Sequence, residues 1–332
     1  EIWLLEPKNL DGNPCLWSPG IRWGVSRGSW YHKTECFGPV LGVIRVADLT
    51  EAIEVQNENE FGLTGGLQSL DVEEIRRWTE QVEVGNAYVN RSTTGAIVRR
   101  QPFGGWKHSC IGTGAKAGGP NYVASLCRWQ ERRLPQHRRT LEPSLAAFVF
   151  QAEKMLSGDD GAIARLNAAA ESSAEAWASE FSREHDPSRI HGESNRFRYR
   201  VRPWVLVRST GSPSARPPVD LLLTLIGCRI VGATVAFSLV AESSWGDDVS
   251  RWSGAERVVE DDASFAKRLE SRRDGVVRVL GELERESLIA ARQSNLVVSS
   301  GSVLANGRIE LAKLLREQAV SETVHRYGNL QT

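Results

Sequence analysis

The sequence predicts an α/β protein in two parts, and two observations carry the prediction. Residues 1 to about 130 are dense in Gly, Trp and turn signals, and from about 196 strand and helix patterns alternate. In the first part the turns are Asp11-Gly12-Asn13-Pro14, Ser18-Pro19-Gly20, Gly38-Pro39, Gly65-Gly66, Gly104-Gly105 and Gly118-Gly119-Pro120, a density that suggests a chain threaded around a site. Between them, residues 40–46 read as a buried strand and 49–57 as a helix with Leu49, Ala52 and Ile53 on its apolar side. Residues 72–82 read as a second helix, with Val72, Ile75, Trp78 and Val82 at helical spacing and Asp71 as N-cap. Residues 87–90 look like a short strand.

Residues 131–195 change character and read as a helical linker or cover, with an Ala-rich stretch at 162–178. The basic residues Arg132, Arg133, His137, Arg138 and Arg139 lack interleaved aromatics, so they read as a solvated face rather than a nucleic-acid patch. From 196 onward, strands at 205–207, 234–239, 276–280 and 296–298 alternate with helices at 219–231 and 283–291, a spacing that favours a parallel sheet. A last helix is expected over 308–320, where Ile309, Leu311, Leu314, Leu315 and Ala319 form a broad apolar face.

Composition narrows the function. With 332 residues, 41% of them hydrophobic and 25% charged, there is enough chain for one large or two medium domains. Lys plus Arg balances Asp plus Glu at 41 each, so no global field draws the chain to nucleic acid or to an anionic membrane. The longest apolar run, 219–236, is broken by Asp220, Thr224, Cys228, Arg229 and Gly232, so no membrane span is expected. Cys15, Cys36, Cys110, Cys127 and Cys228 form neither a CxxC pair nor an even framework, which argues against a metal site and a disulfide scaffold and fits a reducing cytoplasm. Glu1-Ile2-Trp3-Leu4-Leu5 has no initiator Met or signal-peptide pattern and reads as a strand cut from a longer protein.

Two motifs carry chemistry. Thr34-Glu35-Cys36-Phe37-Gly38-Pro39-Val40 by itself could be an acidic residue and a buried aromatic leading through a turn into a strand. About sixty residues later come Asn86-Ala87-Tyr88-Val89-Asn90, Thr94-Gly95-Ala96 and Gln101-Pro102-Phe103-Gly104-Gly105-Trp106-Lys107. In that order the segments resemble the aldehyde dehydrogenase superfamily, with its Glu-x-Phe-Gly-Pro motif, Asn-containing strand and Pro-Phe-Gly-Gly motif. Leu16-Trp17-Ser18-Pro19-Gly20, Thr93-Thr94-Gly95-Ala96 and the run from Gly114 to Tyr122 are similar to the branch that oxidises glutamate-γ-semialdehyde, and in particular to bacterial proline utilization A proteins. Asn195-Arg196-Phe197-Arg198-Tyr199-Arg200 and the tail from Leu315 to Leu330 carry a likeness to the second, degenerate aldehyde-dehydrogenase-like domain of some of those proteins.

The resemblance implies the C-terminal part of an aldehyde dehydrogenase catalytic domain over 1–130, followed over 196–332 by a Rossmann-like α/β domain. It implies that Glu35 holds the nicotinamide ribose of NAD and that Phe37 packs near the nicotinamide. A carboxylate can accept two hydroxyl hydrogen bonds, and an aromatic wall fixes the ring face. It implies that Phe103 walls the aldehyde pocket, and that Thr94, Gly95 and Ala96 form the loop whose backbone N–H groups receive the substrate carboxylate. FAD would be needed only if the parent protein also carried a proline dehydrogenase domain. A small-molecule substrate and a homo-oligomeric parent follow from the same likeness.

The departures matter as much. The superfamily's nucleophilic Cys, general-base Glu, oxyanion Asn and NAD-binding Rossmann segment lie upstream of the Glu-x-Phe motif, and none is present. No catalytic residue is therefore assigned. Cys36 is expected to be a small packed hydrophobe, and Cys110 has no activating His or Asp at a convincing spacing. No GxGxxG follows a strand of the C-terminal part, and His325 and Arg326 read as structural hydrogen-bond partners. The competing reading is a non-catalytic oligomerisation or interaction module derived from such an enzyme.

Overall fold

The computed structural model describes residues 1–136, 139–211 and 216–324, together with the backbone of 325, 326, 329 and 330. Strands β1 (Ile2–Leu5), β2 (Gly20–Trp23) and β3 (Val40–Val43) form a three-stranded sheet, with β1 antiparallel and β3 parallel to β2. The N-terminal part is completed by β4 (Phe61–Gly62), β5 (Thr64–Leu67), β6 (Asn86–Val89) and β7 (Trp106–Lys107). The C-terminal part adds β8 (Glu193–Val201), β9 (Trp204–Ser209), β10 (Thr234–Leu239), β11 (Glu256–Val259), β12 (Val276–Leu280), β13 (Val297–Ser299) and β14 (Leu315–Thr323).

Five of these strands make a wholly parallel sheet in the order β11-β10-β9-β12-β13. The chain moves outward from β9 in one direction and then in the other, the doubly wound arrangement expected of strand–helix alternation. The helix Val219–Val231 is apolar almost all round because it is buried, with Leu221, Leu222 and Ile226 at 0% exposure. It shares one core with the helices Pro143–Met155 and Asp160–Ala176, through Leu145, Phe148 and Leu166. On the opposite face Phe265, Leu269, Val277, Val279 and Ala290 form a second core. The residues of 131–195 thus supply a helical layer of the C-terminal unit.

A second sheet, in the order β5-β6-β14-β8, joins the two parts of the chain. Strand β14 runs parallel to β6, with Val320 beside Ala87, and antiparallel to β8. This corrects the expected helix over 308–320, which is a four-residue helix (Gly307–Glu310), a 3₁₀ turn (Leu311–Leu314) and then β14. Both faces of β14 are covered, so its polar residues are buried rather than solvated, and each of Glu317 and Gln318 finds a partner. Gln318 donates to Val84 O at 2.9 Å and accepts from Arg198 Nε at 2.9 Å.

One further expectation is corrected. Strand β3 is not buried, since Leu41 is 57% exposed and no described residue covers that side of the first sheet. The strand at the opposite edge, β1, is similarly bare, with Ile2 and Leu4 exposed. In the basic cluster, Arg139 pairs with Glu175 at 2.8 Å, while His137 and Arg138 lie outside the described residues, as do the side chains of His325 and Arg326.

Candidate active-site segment

The first half of the site is held by a strapped loop. Ser29 caps the short helix Trp30–Lys33, and the ring of His32 is fixed from both sides: Gly28 N–H donates to Nδ1 at 2.9 Å and Nε2 meets Val55 O at 3.0 Å. That pattern selects the tautomer protonated on Nε2. Lys33 and Arg27 tie the same loop to Glu58, beyond the helix Leu49–Asn57. The chain leaves the helix extended at Thr34, and Phe37 then takes φ +48°, a left-handed conformation uncommon for a bulky residue.

This geometry presents Glu35, Cys36 and Phe37 outward. Glu35 borders two grooves, one of about 510 Å³ against His32, Gln56 and Phe61, the other of about 390 Å³ shared with Phe37. Phe37 is 92% exposed, so its ring is free to pack against something. Cys36 is exposed too, which corrects the expectation of a packed hydrophobe: the turn that projects Phe37 carries Cys36 out with it.

The second half is built on Asn86 at the start of β6. Its side chain donates to Pro102 O at 3.0 Å and accepts from Gly104 N–H at 3.1 Å, so it clamps both ends of the Pro102-Phe103-Gly104 turn. Phe103 exchanges both backbone hydrogen bonds with Ala117, at 2.9 Å each, leaving its ring partly exposed. Gly105 then passes so close to Ser109 that a Cβ would lie 2.3 Å from Ser109 Cβ and 2.6 Å from its carbonyl oxygen. Gly105→Ala is therefore expected to destabilise the fold by about 1–3 kcal/mol or more, read as a lower urea midpoint with unchanged m-value.

The loop carrying Thr94, Gly95 and Ala96 is exposed and turns at Gly95 with φ +79°. Thr94 is tied to Ser92, and the loop is closed by Ile97 N–H donating to Gln101 Oε1 at 2.9 Å. Gln101, fully buried, reaches across to Asn195 Oδ1 on β8 at 2.7 Å. The N–H groups of Gly95 and Ala96 donate to no other described residue. Glu35 and Phe37 share a groove, whereas Thr94, Gly95, Ala96 and Phe103 line neither of the two grooves at Glu35.

Beneath this turn lies a buried polar network that the sequence did not announce. Glu317 of β14 accepts from Lys116 N–H at 2.8 Å and from Asn121 Nδ2 at 2.6 Å, and Asn121 is held in turn by Tyr199 and Arg308. Burial drives the Lys116 amine down to about 7, against the pull of Glu317, and raises the Glu317 carboxyl above its ordinary value. The only sequence signal was three polar residues, Lys116, Asn121 and Glu317, whose neighbours in space are up to 201 positions apart.

None of the five cysteines is set up as a nucleophile among the described residues. Cys15, Cys36 and Cys127 are exposed, while burial raises the Cys110 thiol and pushes that of Cys228 up to about 12. Among the described residues no three His, Cys, Asp or Glu converge as a metal site, and no helix is long and apolar enough to cross a membrane.

An outward Glu-x-Phe turn feeding a strand, followed by an Asn-clamped Pro-Phe-Gly-Gly turn, defines an aldehyde dehydrogenase segment, and the aldehyde dehydrogenase family model matches residues 5–131. That segment belongs to the family. More particularly, 92 residues are 50% identical to 1-pyrroline-5-carboxylate dehydrogenase 2 of Bacillus subtilis (strain 168), covering 28% of this chain and 18% of that protein. The 1-pyrroline-5-carboxylate dehydrogenase of Bacillus mycoides (strain KBAB4) is 43% identical over 106 residues, or 32% of this chain and 20% of the relative. Among solved structures, proline utilization A from Corynebacterium freiburgense matches at 38% identity with a TM-score of 0.77, covering 99% of this chain and 30% of that one. The matches thus take in about a fifth of each curated relative and under a third of the larger protein.

Proposed function

We propose that this chain supplies the nicotinamide-ribose clamp and the aldehyde-carboxylate loop of an NAD-dependent 1-pyrroline-5-carboxylate dehydrogenase, which oxidises L-glutamate-γ-semialdehyde to L-glutamate in proline catabolism. The observation that carries the reading is the pair of unengaged N–H groups at Gly95 and Ala96, on a loop beside the Phe103 turn, in a segment half identical to enzymes of that name. Two free main-chain donors on one tight turn suit a carboxylate.

The residues present fit one end of the cofactor. Glu35 is an exposed carboxylate on the rim of a groove, able to accept two ribose hydroxyl hydrogen bonds, and the free ring of Phe37 can wall the nicotinamide. NAD when bound supplies the hydride acceptor. The chain's own contribution is orientation: Glu35 and Phe37 fix the cofactor ring, and the 94–96 loop and Phe103 fix the aldehyde. The nucleophile and the base come from polypeptide other than these residues. The same reading carries a small-molecule substrate, a cytoplasmic location and a homo-oligomeric whole protein.

Expressed alone, the chain is expected to show no NAD-dependent oxidation of the semialdehyde and no saturable quenching of its tryptophan fluorescence by NAD. In the complete polypeptide that carries the nucleophile, Glu35→Gln should raise KM for NAD roughly tenfold to a hundredfold, from the loss of charge-assisted hydrogen bonds. Turnover by the isolated chain that disappears in Cys36→Ser or Cys110→Ser would overturn the assignment.

A further inference from the structure

We infer that the seam between the two parts of the chain holds a small-anion site of chloride size, bound by Arg202 and Arg316. The seam encloses a cavity of about 30 Å³, walled on one side by the 105–114 turn and on the other by Arg202, Asp274 and Arg316. A space of that size takes a single ion or one water and excludes any carboxylate or phosphate.

The charges around it do not balance. Arg202 is buried, with 5% of its surface exposed, and Arg316 is largely buried and stacked over the Trp106 ring at 3.8 Å. Both guanidinium groups share one carboxylate: Asp274 lies 3.6 Å from Arg202 Nη1 and in direct contact with Arg316 Nη1. The other cation lining the cavity, Lys107, is already neutralised by Glu83 at 2.7 Å. Two buried cations against one anion leave a surplus positive charge where desolvation is expensive.

The donors do not balance either. Arg202 Nη2 donates to Thr113 O at 2.9 Å, but the Nε of Arg202 and the Nε of Arg316 are both buried without a partner. A buried unpaired donor on a charged group is costly, and one anion in the cavity would accept from both while cancelling the surplus charge. Water would satisfy the donors and leave the charge. Since Arg202 and Asp274 belong to the C-terminal unit and the 105–114 turn to the dehydrogenase segment, the ion would fasten one to the other.

The test is a thermal-unfolding titration of the full chain with chloride against gluconate at constant ionic strength, joined to a crystal grown in bromide. A saturable rise of roughly 2–4 °C specific to chloride is expected, together with an anomalous bromide peak in the cavity. Asp274→Asn removes the competing carboxylate and should lower the half-saturating chloride about tenfold, whereas a site that only packs would be weakened by that change. Should that variant fail to fold, the wild-type measurements decide. Equal unfolding temperatures in the two anions, or no bromide peak in the cavity, overturn the site.

Discussion

Replacing Gly95 by proline should cut kcat/KM for L-glutamate-γ-semialdehyde by roughly tenfold to several hundredfold in the complete enzyme, while a neutral aldehyde of similar length is hardly affected. Each charge-assisted hydrogen bond to a carboxylate is worth about 1.5–3 kcal/mol, and the loop offers two. Gly95 has φ +79°, whereas a proline ring holds φ near −65°, so the substitution both deletes the 95 donor and turns the neighbouring one away. Gly95→Ala separates these effects. It keeps the N–H, a Cβ there meets nothing within 4 Å, and the cost is the left-handed conformation alone, about 1 kcal/mol. A carboxylate-binding role requires a large, acid-selective loss for proline and a small one for alanine. Equal losses for acidic and neutral aldehydes would mean that Gly95 serves only to make the turn, and the semialdehyde assignment would fall with it.

The second large effect is on stability. Lys116 in the unfolded chain keeps its proton to about pH 10.5, whereas the folded state releases it near 7. Between those values unfolding takes up a proton, so raising the pH stabilises the fold, by roughly 3–5 kcal/mol across the whole window. Lys116→Met lacks this term, although it leaves Gly104 O and Asn86 Oδ1 without the donor they now share. The stability of wild type relative to the variant should therefore climb from pH 7 to pH 10.5 in urea titrations. Glu317 acts in the opposite sense. Its raised carboxyl value means that its contribution is present below about 4.5 and lost as pH rises through the folded value, a slope that Glu317→Gln should remove. Parallel pH profiles for wild type and Lys116→Met would show that the amine stays charged in the fold.

How far the sequence was legible depends on how local the deciding contacts are. The helices Leu49–Asn57, Val72–Gln81 and Val219–Val231 and the strands Thr234–Leu239 and Val276–Leu280 follow the reading, because apolar spacing and a cap such as Asp71 are local signals. The order of the dehydrogenase motifs was legible for the same reason. Strand β14 was not. Leu311, Leu314, Leu315 and Ala319 mimic a helical stripe, and Glu317 and Gln318 look like its wet face until Lys116, Asn121 and Val84 supply their partners from some 200 residues away. Cys36 failed in the other direction, since the aliphatic residue that the resemblance puts at its position said nothing about a turn that faces outward. The anchoring of the 94–96 loop through Gln101 to Asn195, 94 positions on, belongs to the same class of invisible contact.

The pairing of β6 with β14 also sets an order of events during synthesis. Ala87 cannot meet Val320 until the ribosome has delivered more than two hundred further residues, and the two N-terminal sheet strands β5 and β6 must wait with one edge open. At about 5–20 residues per second, that interval lasts on the order of 10 seconds or more. Long-range parallel pairing is slow to form even afterwards, and an open edge next to bare apolar strands invites association with other nascent chains. The doubly wound unit, whose five strands all lie between residues 204 and 299, has all of its strands before β14 emerges and can begin to mature while the sheet of the dehydrogenase segment is still incomplete. Yield in a heterologous host should thus depend on chaperone supply and translation speed more than on the thermodynamic stability of the finished chain.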